Sequence, residues 1–213
     1  MPSISYAITA CTEVEELKRL FDKLLVSIRE EDEIILQVDQ DKGTTEIQDV
    51  FIESSKSFEN RHSNMFITFS ALNNDFATFK NDLKLLCKKD YIFFIDADEY
   101  PSENLLHHLP LILESNPVDL LIVPRVNTVE GLTPAHIQKW GWRVDEEQRI
   151  NWPDYQTRIV RNHRDLKWEG KVHERIVGSK SVSHFPFDNA DWALYHPKTI
   201  QKQEQQNNFY DTL

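Results

Sequence analysis

The chain has 213 residues, enough for one well-cored domain and too few for two of ordinary size. Hydrophobic residues make up 40% and charged residues 28%, which excludes a disordered chain. With 24 Lys and Arg against 35 Asp and Glu, the net charge is -11. That balance excludes nucleic-acid binding through clustered cations, and a phosphorylated ligand would call for a divalent cation as intermediary.

The longest apolar runs, such as Ile92 to Ile95 and Leu120 to Val123, fall far short of the roughly 18 residues of a membrane span. The amino terminus has neither the basic region nor the unbroken apolar core of an export signal. The expectation is a cytoplasmic protein in which Cys11 and Cys87 stay reduced.

Ile4, Tyr6 and Ile8 alternate as in a strand, and Thr12 with Glu15 has the spacing of a capping box. Val14, Leu17, Phe21, Leu24, Leu25 and Ile28 then recur at helical spacing. Ile34 to Val38 is too continuously apolar for a half-exposed strand and reads as a buried parallel one. A polar loop, Asp39 to Thr45, leads to an amphipathic stretch, Ile47 to Phe58. Met65 to Phe69 reads as a strand, and Phe76, Phe79, Leu83, Leu86 and Cys87 mark a helix face. Tyr91 to Ile95 is a second buried strand, ending at Asp96. Leu105 to Leu113 predicts a helix kinked or split at Pro110, and Leu120 to Val123 a strand closed by Pro124. This alternation predicts an α/β fold with a mostly parallel sheet covered on both faces. Beyond Arg125 the helical period weakens, predicting loops and antiparallel strands folded onto the sheet. Thr199 to Tyr210 predicts a polar surface helix.

The sharpest chemical signal is Asp96-Ala97-Asp98-Glu99. A buried strand delivers these carboxylates to its carboxyl end, where open α/β sheets bind ligands. Three acids so close repel one another and gain from magnesium or manganese, with ligand phosphates filling the other positions. The plain alternative is an acidic surface loop. A second acidic turn runs from Asp39 to Glu46, where Thr44 and Val50 rule out a calcium loop. Asp39 ends a strand, either accepting hydrogen bonds from a ligand or simply closing the turn. The tryptophans Trp140, Trp142, Trp152 and Trp168 serve equally as core or as platforms for sugar rings. Arg158 and Arg161 alternate in facing, so one can reach a phosphate while the other is solvated.

Taken together, these segments resemble glycosyltransferase family 2 with its GT-A fold. Ile4 to Glu13 resembles the opening strand and turn of that family, and Val38 to Thr44 its Asp-Asp-Gly-Ser-Thr turn. Lys80-Asn81 stands at the Arg-Asn pair, and Phe94 to Glu99 matches the Asp-x-Asp element. Tyr155 to Arg161, then Trp168 to Arg175, resemble the Arg-rich strand and Val-His-Glu element of small lipopolysaccharide- and glycan-type members. Leu194-Tyr195-His196 resembles their metal-binding histidine. The resemblance implies one GT-A-like domain over residues 1–213, with a Rossmann-like half (1–125) taking the nucleotide sugar. Residues 126–213 would form the acceptor and catalytic half.

The family further implies a UDP-sugar donor, transfer of one hexose such as glucose to a glycan or small hydroxyl, and inversion. Thr9, Ala10, Glu13, Asp39, Lys80, Asn81, Asp96, Ala97 and Asp98 would bind the nucleotide sugar. Asp98, His196 and Asp96 would hold Mn2+ or Mg2+, with Asp96 nearer the ribose. Glu174 is the first choice of catalytic base and Asp154 the second. The alternatives are a sugar-phosphate nucleotidyltransferase, a dehalogenase-type phosphatase, and a relative that binds nucleotide or glycan without turnover.

Overall fold

A computed structural model describes residues 1–58 and 64–210. The chain opens with β1 (Ile4–Ala10), α1 (Val14–Ser27), β2 (Glu33–Asp39), α2 (Thr45–Phe58), β3 (Met65–Ser70), α3 (Phe76–Leu86) and β4 (Tyr91–Asp96). There follow β5 (Tyr100–Pro101), α4 (Glu103–Ser115), β6 (Leu120–Glu130), α5 (Pro134–Trp140) and β7 (Ile150–Arg161). The chain closes with β8 (Lys167–Glu169), β9 (Arg175–Val177), β10 (Val182–His184), β11 (Leu194–Thr199) and α6 (Ile200–Tyr210).

Among the described residues, one nine-stranded sheet has the order β3-β2-β1-β4-β7-β6-β11-β5, with β10 beside β6; β8 and β9 form a separate ribbon. Strands β3, β2, β1 and β4 are mutually parallel, and β10 and β11 run parallel to β6. Strand β7 runs against both β4 and β6, and β5 against β11. The sheet is mostly parallel, as the alternation of segments predicts.

Continuous apolar strands bury both faces of this sheet. In β4, Tyr91, Phe93 and Ile95 join a core shared with α1, α2 and α4, whereas Ile92 and Phe94 face the other way. That second core is closed by Ala77 and Leu83 of α3 and by Trp168 of β8. Residue alternation in one strand therefore glues two helical layers to the sheet.

Local chemistry departs from expectation at three places. The Thr12–Glu15 capping box does not form: α1 is capped at Glu13 without a side-chain bond, and Glu15 pairs with Lys18 instead. The Glu13 carboxylate accepts from the backbone N–H of Cys11 and Thr12, bracing the β1–α1 turn. Helix α4 continues through Pro110 rather than splitting there. Strand β6 likewise runs through Pro124, because β10 pairs only to Ile122 and β11 begins pairing at Arg125. The proline sits in that gap, so its missing N–H breaks no ladder on that side.

Gly43 marks the turn after β2. A Cβ there would stand 2.4 Å from the Asp39 carbonyl oxygen and from a Val38 methyl, leaving glycine as the residue that fits. Both cysteines are free; Cys87 is buried, which pushes its thiol up to about 12. No helix among the described residues is long and apolar enough to cross a membrane.

Candidate active site

The carboxyl ends of β2, β1 and β4 lie side by side, placing Asp39, Thr9 and Asp96 along one edge. Strand order reverses around β1, the position where open α/β sheets form a ligand crevice. Thr9 faces Asp96 in register, and its hydroxyl donates to the Asp96 carboxylate at 2.8 Å. The Ala97 N–H bonds the Thr9 carbonyl at 2.9 Å, fixing the start of the acidic turn against β1. Ala10 is buried beside it. Asp39 is buried, and its Oδ1 accepts from the N–H of Asp41 at 3.1 Å and of Leu72 at 3.4 Å. Glu13 lies in the same corner, where burial raises its carboxyl, backbone donors oppose the rise, and the Asp98 charge adds to it.

The three clustered acids are not left to repel one another. Arg158, buried on β7, donates to Asp96 and Glu99, each at 2.6 Å. Arg125 on β6 reaches the same Glu99 at 2.8 Å and holds Asp154 through two bonds of 2.6 and 2.9 Å. Arg158 thus faces carboxylates and not a phosphate, while Arg161 sits partly exposed over the Tyr91 ring. Burial pushes Asp96 up, but Arg158, Lys80 and the Thr9 hydroxyl outweigh it and hold the carboxyl well below the usual range.

Asp98 has different company. Its carboxylate lies 3.0 Å from His196 Nε2 and 3.5 Å from Lys198 Nζ, both on β11. The other ring nitrogen of His196 meets the Asn127 side chain at 2.8 Å. Burial raises Asp98, yet His196 and Lys198 together drive it far below an ordinary carboxylate. Among the described residues no three His, Cys, Asp or Glu side chains converge as a metal set. Asp98 and His196 are the pair that meets, while the oxygens of Asp96 are engaged by Arg158, Thr9 and Lys80. Two protein ligands suit a hard cation whose other positions are filled by phosphate oxygens.

On the opposite side, Lys80 Nζ lies 2.7 Å from Glu174 and 3.4 Å from Asp96, over the Trp168 ring. Asn81 meets the Trp168 backbone with both amide atoms, each at 2.9 Å, and so fixes β8 to α3. For Asp154, burial raises the carboxyl, but Arg125 and bonds from Asn127 and Gln156 more than offset this and depress it.

Of these groups Asp96, Asp98, Arg125, Asn127, His196 and Lys198 border a cleft of about 350 Å³ that reaches to Trp142, His173 and α6. Missing from the candidates singled out in the sequence are Lys198, Arg125 and the α6 glutamines Gln203 and Gln206. Lys198 carried a signal: it stands two residues after His196 in a strand and so shares its face.

A mostly parallel sheet with an Asp-x-Asp turn at the carboxyl end of its central strand defines a GT-A architecture. The family model for glycosyl transferase family 2 matches residues 5–173, and the chain belongs to that family. Among solved structures, S. aureus TarS 1-349 superposes with a TM-score of 0.60 at 12% identity, covering 92% of this chain and 60% of that one. The same fragment in complex with UDP gives 0.61 at 13%, covering 92% and 60%. In complex with UDP-GlcNAc it gives 0.61 at 14%, covering 93% and 59%. At such identities the likeness is one of fold, and the chain spans about 60% of the TarS fragment's length. No curated protein matches the chain.

Proposed function

We propose that the chain transfers a single hexose from a UDP-sugar to a glycan or small hydroxyl acceptor, with inversion, in the cytoplasm. The observation that carries this reading is the meeting of Asp98, His196 and Lys198 on one cleft at the carboxyl edge of β4. Family membership supports glycosyl transfer, and the TarS complexes with UDP and UDP-GlcNAc support a uridine diphosphate donor. Residues 1–125 take the nucleotide and 126–213 the acceptor, within one domain.

In this reading Asp39 accepts hydrogen bonds from the nucleoside, and Thr9, Ala10 and Glu13 shape the floor beneath it. Asp98 and His196 hold Mn2+ or Mg2+, which when bound supplies Lewis-acid neutralisation of the departing diphosphate. Lys198 adds a fixed positive charge beside the same carboxylate, and Lys80 another beside Asp96. Asp96 acts through position: locked by Arg158 and Thr9, it aims the turn that presents Asp98. Glu174, steadied by Lys80, takes the proton of the attacking hydroxyl. Asp154 stands second because Arg125, Asn127 and Gln156 already donate to its two oxygens.

The test is nucleotide release from a panel of UDP- and GDP-sugars with manganese, for the native chain and Asp98→Ala. Release from UDP-sugars, lost in EDTA and in the variant, is the expected result. No release from any donor sinks the transferase reading, and tight UDP binding without release would leave a non-catalytic binding relative. Full activity in EDTA removes the ion from the scheme.

A further inference from the structure

The distal wall of the cleft has a composition that the donor chemistry does not use. Trp142 lines it together with Asn151, Gln203 and Gln206. We infer that this wall is the acceptor subsite and that it takes an uncharged sugar ring, stacked on Trp142 and read by amide side chains. The inference rests on the glycosyltransferase reading and narrows its acceptor.

Three observations carry it. First, the indole of Trp142 is held ready: it packs at 4.6 Å against Trp140, which stacks on His136 at 5.2 Å. Helix α5 is locked beneath this stack by the Thr133–His136 capping box and ends at Gly141 with φ +66, from which Trp142 leaves the helix. A rigid aromatic face needs little ordering when a ring docks on it.

Second, the polar groups beside it are amides. An amide both donates and accepts, matching sugar hydroxyls, which do the same. Asn151 sits at φ +53, where its Oδ1 accepts from the Arg143 N–H at 3.0 Å, so the side chain is fixed in place. Gln206 and Gln203, one turn apart on α6, are likewise anchored, to Lys198 at 2.6 Å and to Asn207 at 2.9 Å.

Third, the Lys and Arg side chains lining the cleft are already spoken for. Arg125 is paired with Glu99 and Asp154, and Lys198, beside Asp98 and Gln206, is committed in the proposed reaction to the donor diphosphate. A phosphorylated acceptor would have to compete with those carboxylates for its counter-charge. The volume, about 350 Å³, lies at the low end of the roughly 300–1,000 Å³ typical of small-molecule sites.

The experiment measures binding of methyl β-glucoside, methyl β-galactoside and methyl β-N-acetylglucosaminide, against glycerol 3-phosphate and glucose 6-phosphate. Saturation-transfer NMR on the full chain, with UDP and manganese present, gives the affinities without requiring turnover. Saturable binding of at least one glycoside is expected, weaker by about tenfold in Trp142→Ala and largely kept in Trp142→Phe. UDP affinity, measured separately by calorimetry, should not change in either variant. Preference for the phosphorylated probes, absence of saturable glycoside binding, or equal glycoside affinity in Trp142→Ala would each overturn the inference. Loss of UDP binding by the native chain would instead strike the parent reading, and the glycoside results would still judge this one.

Discussion

Replacing Arg158 by Met removes the cation that two buried carboxylates share. The guanidinium lies 2.6 Å from both Asp96 and Glu99, and its side chain is only 5% exposed. Breaking a buried pair from one side costs about 3–5 kcal/mol, because a charge is left without compensation. Here Glu99 keeps Arg125 at 2.8 Å, and Asp96 keeps the Thr9 hydroxyl and Lys80. The lower end, about 3 kcal/mol, is therefore expected. For a chain of this length that corresponds to a fall in Tm of roughly 6–12 °C. Urea and thermal unfolding followed by circular dichroism at pH 7 would measure both quantities. Asp96 is depressed in the native fold, so its stabilisation is present above the unfolded carboxylate value and vanishes as pH falls through the folded one. Without Arg158 the folded value rises toward the unfolded one, so the acid loss of stability carried by Asp96 should be smaller and complete at a higher pH. Combining Arg158→Met with Glu99→Gln should cost clearly less than the sum of the two, since each removes the other's partner. A loss below about 1 kcal/mol, or simple additivity, would refute the shared-cation account.

Glu174→Gln keeps size and polarity but cannot accept a proton; transfer should slow by about two to four orders of magnitude with UDP affinity unchanged in calorimetry. If transfer persists there and is lost in Asp154→Asn, the base is Asp154. Asn81→Ala removes both bonds to the Trp168 backbone and leaves an N–H and a carbonyl unpartnered, costing about 2 kcal/mol in urea unfolding. No loss would mean that the β8 ribbon is held by its apolar contacts alone. Glu13→Gln should raise Tm at pH 7.5, because burial disfavours the ionised carboxyl and the native chain loses stability as pH rises through that raised value. The gain should shrink as pH approaches 4, where the native group is protonated as well; a constant or reversed difference would contradict the sign of the shift.

The strands and helices around the carboxyl edge of β1, β2 and β4 were legible because their signals are local. Tyr91 to Ile95 is apolar on both sides of its alternation, and such a run has no stable home except between two covered faces. The acids that follow it had to emerge at the carboxyl end of that strand, so spacing alone puts Asp96 and Asp98 together at that edge. Family resemblance added His196 and Glu174, which periodicity by itself would not have singled out.

What each acid does was decided by tertiary structure. Spacing suggested three carboxylates repelling one another and sharing a cation, yet Arg158 neutralises Asp96 and Glu99 from 62 and 59 residues away. Asp98 alone is left to His196, 98 residues distant, and to its neighbour Lys198. Asn81 shows the same gap: its place in a motif says nothing of the bonds by which it ties α3 to a strand that only the fold brings to it. The passage of β6 through Pro124 depends on where β10 stops and β11 starts, which nothing near the proline reveals. Periodicity is written within a few residues, since a strand or helix repeats every two or 3.6 positions. Which charges meet is set by strand order and register between distant segments, and the same local patterns are compatible with many such pairings.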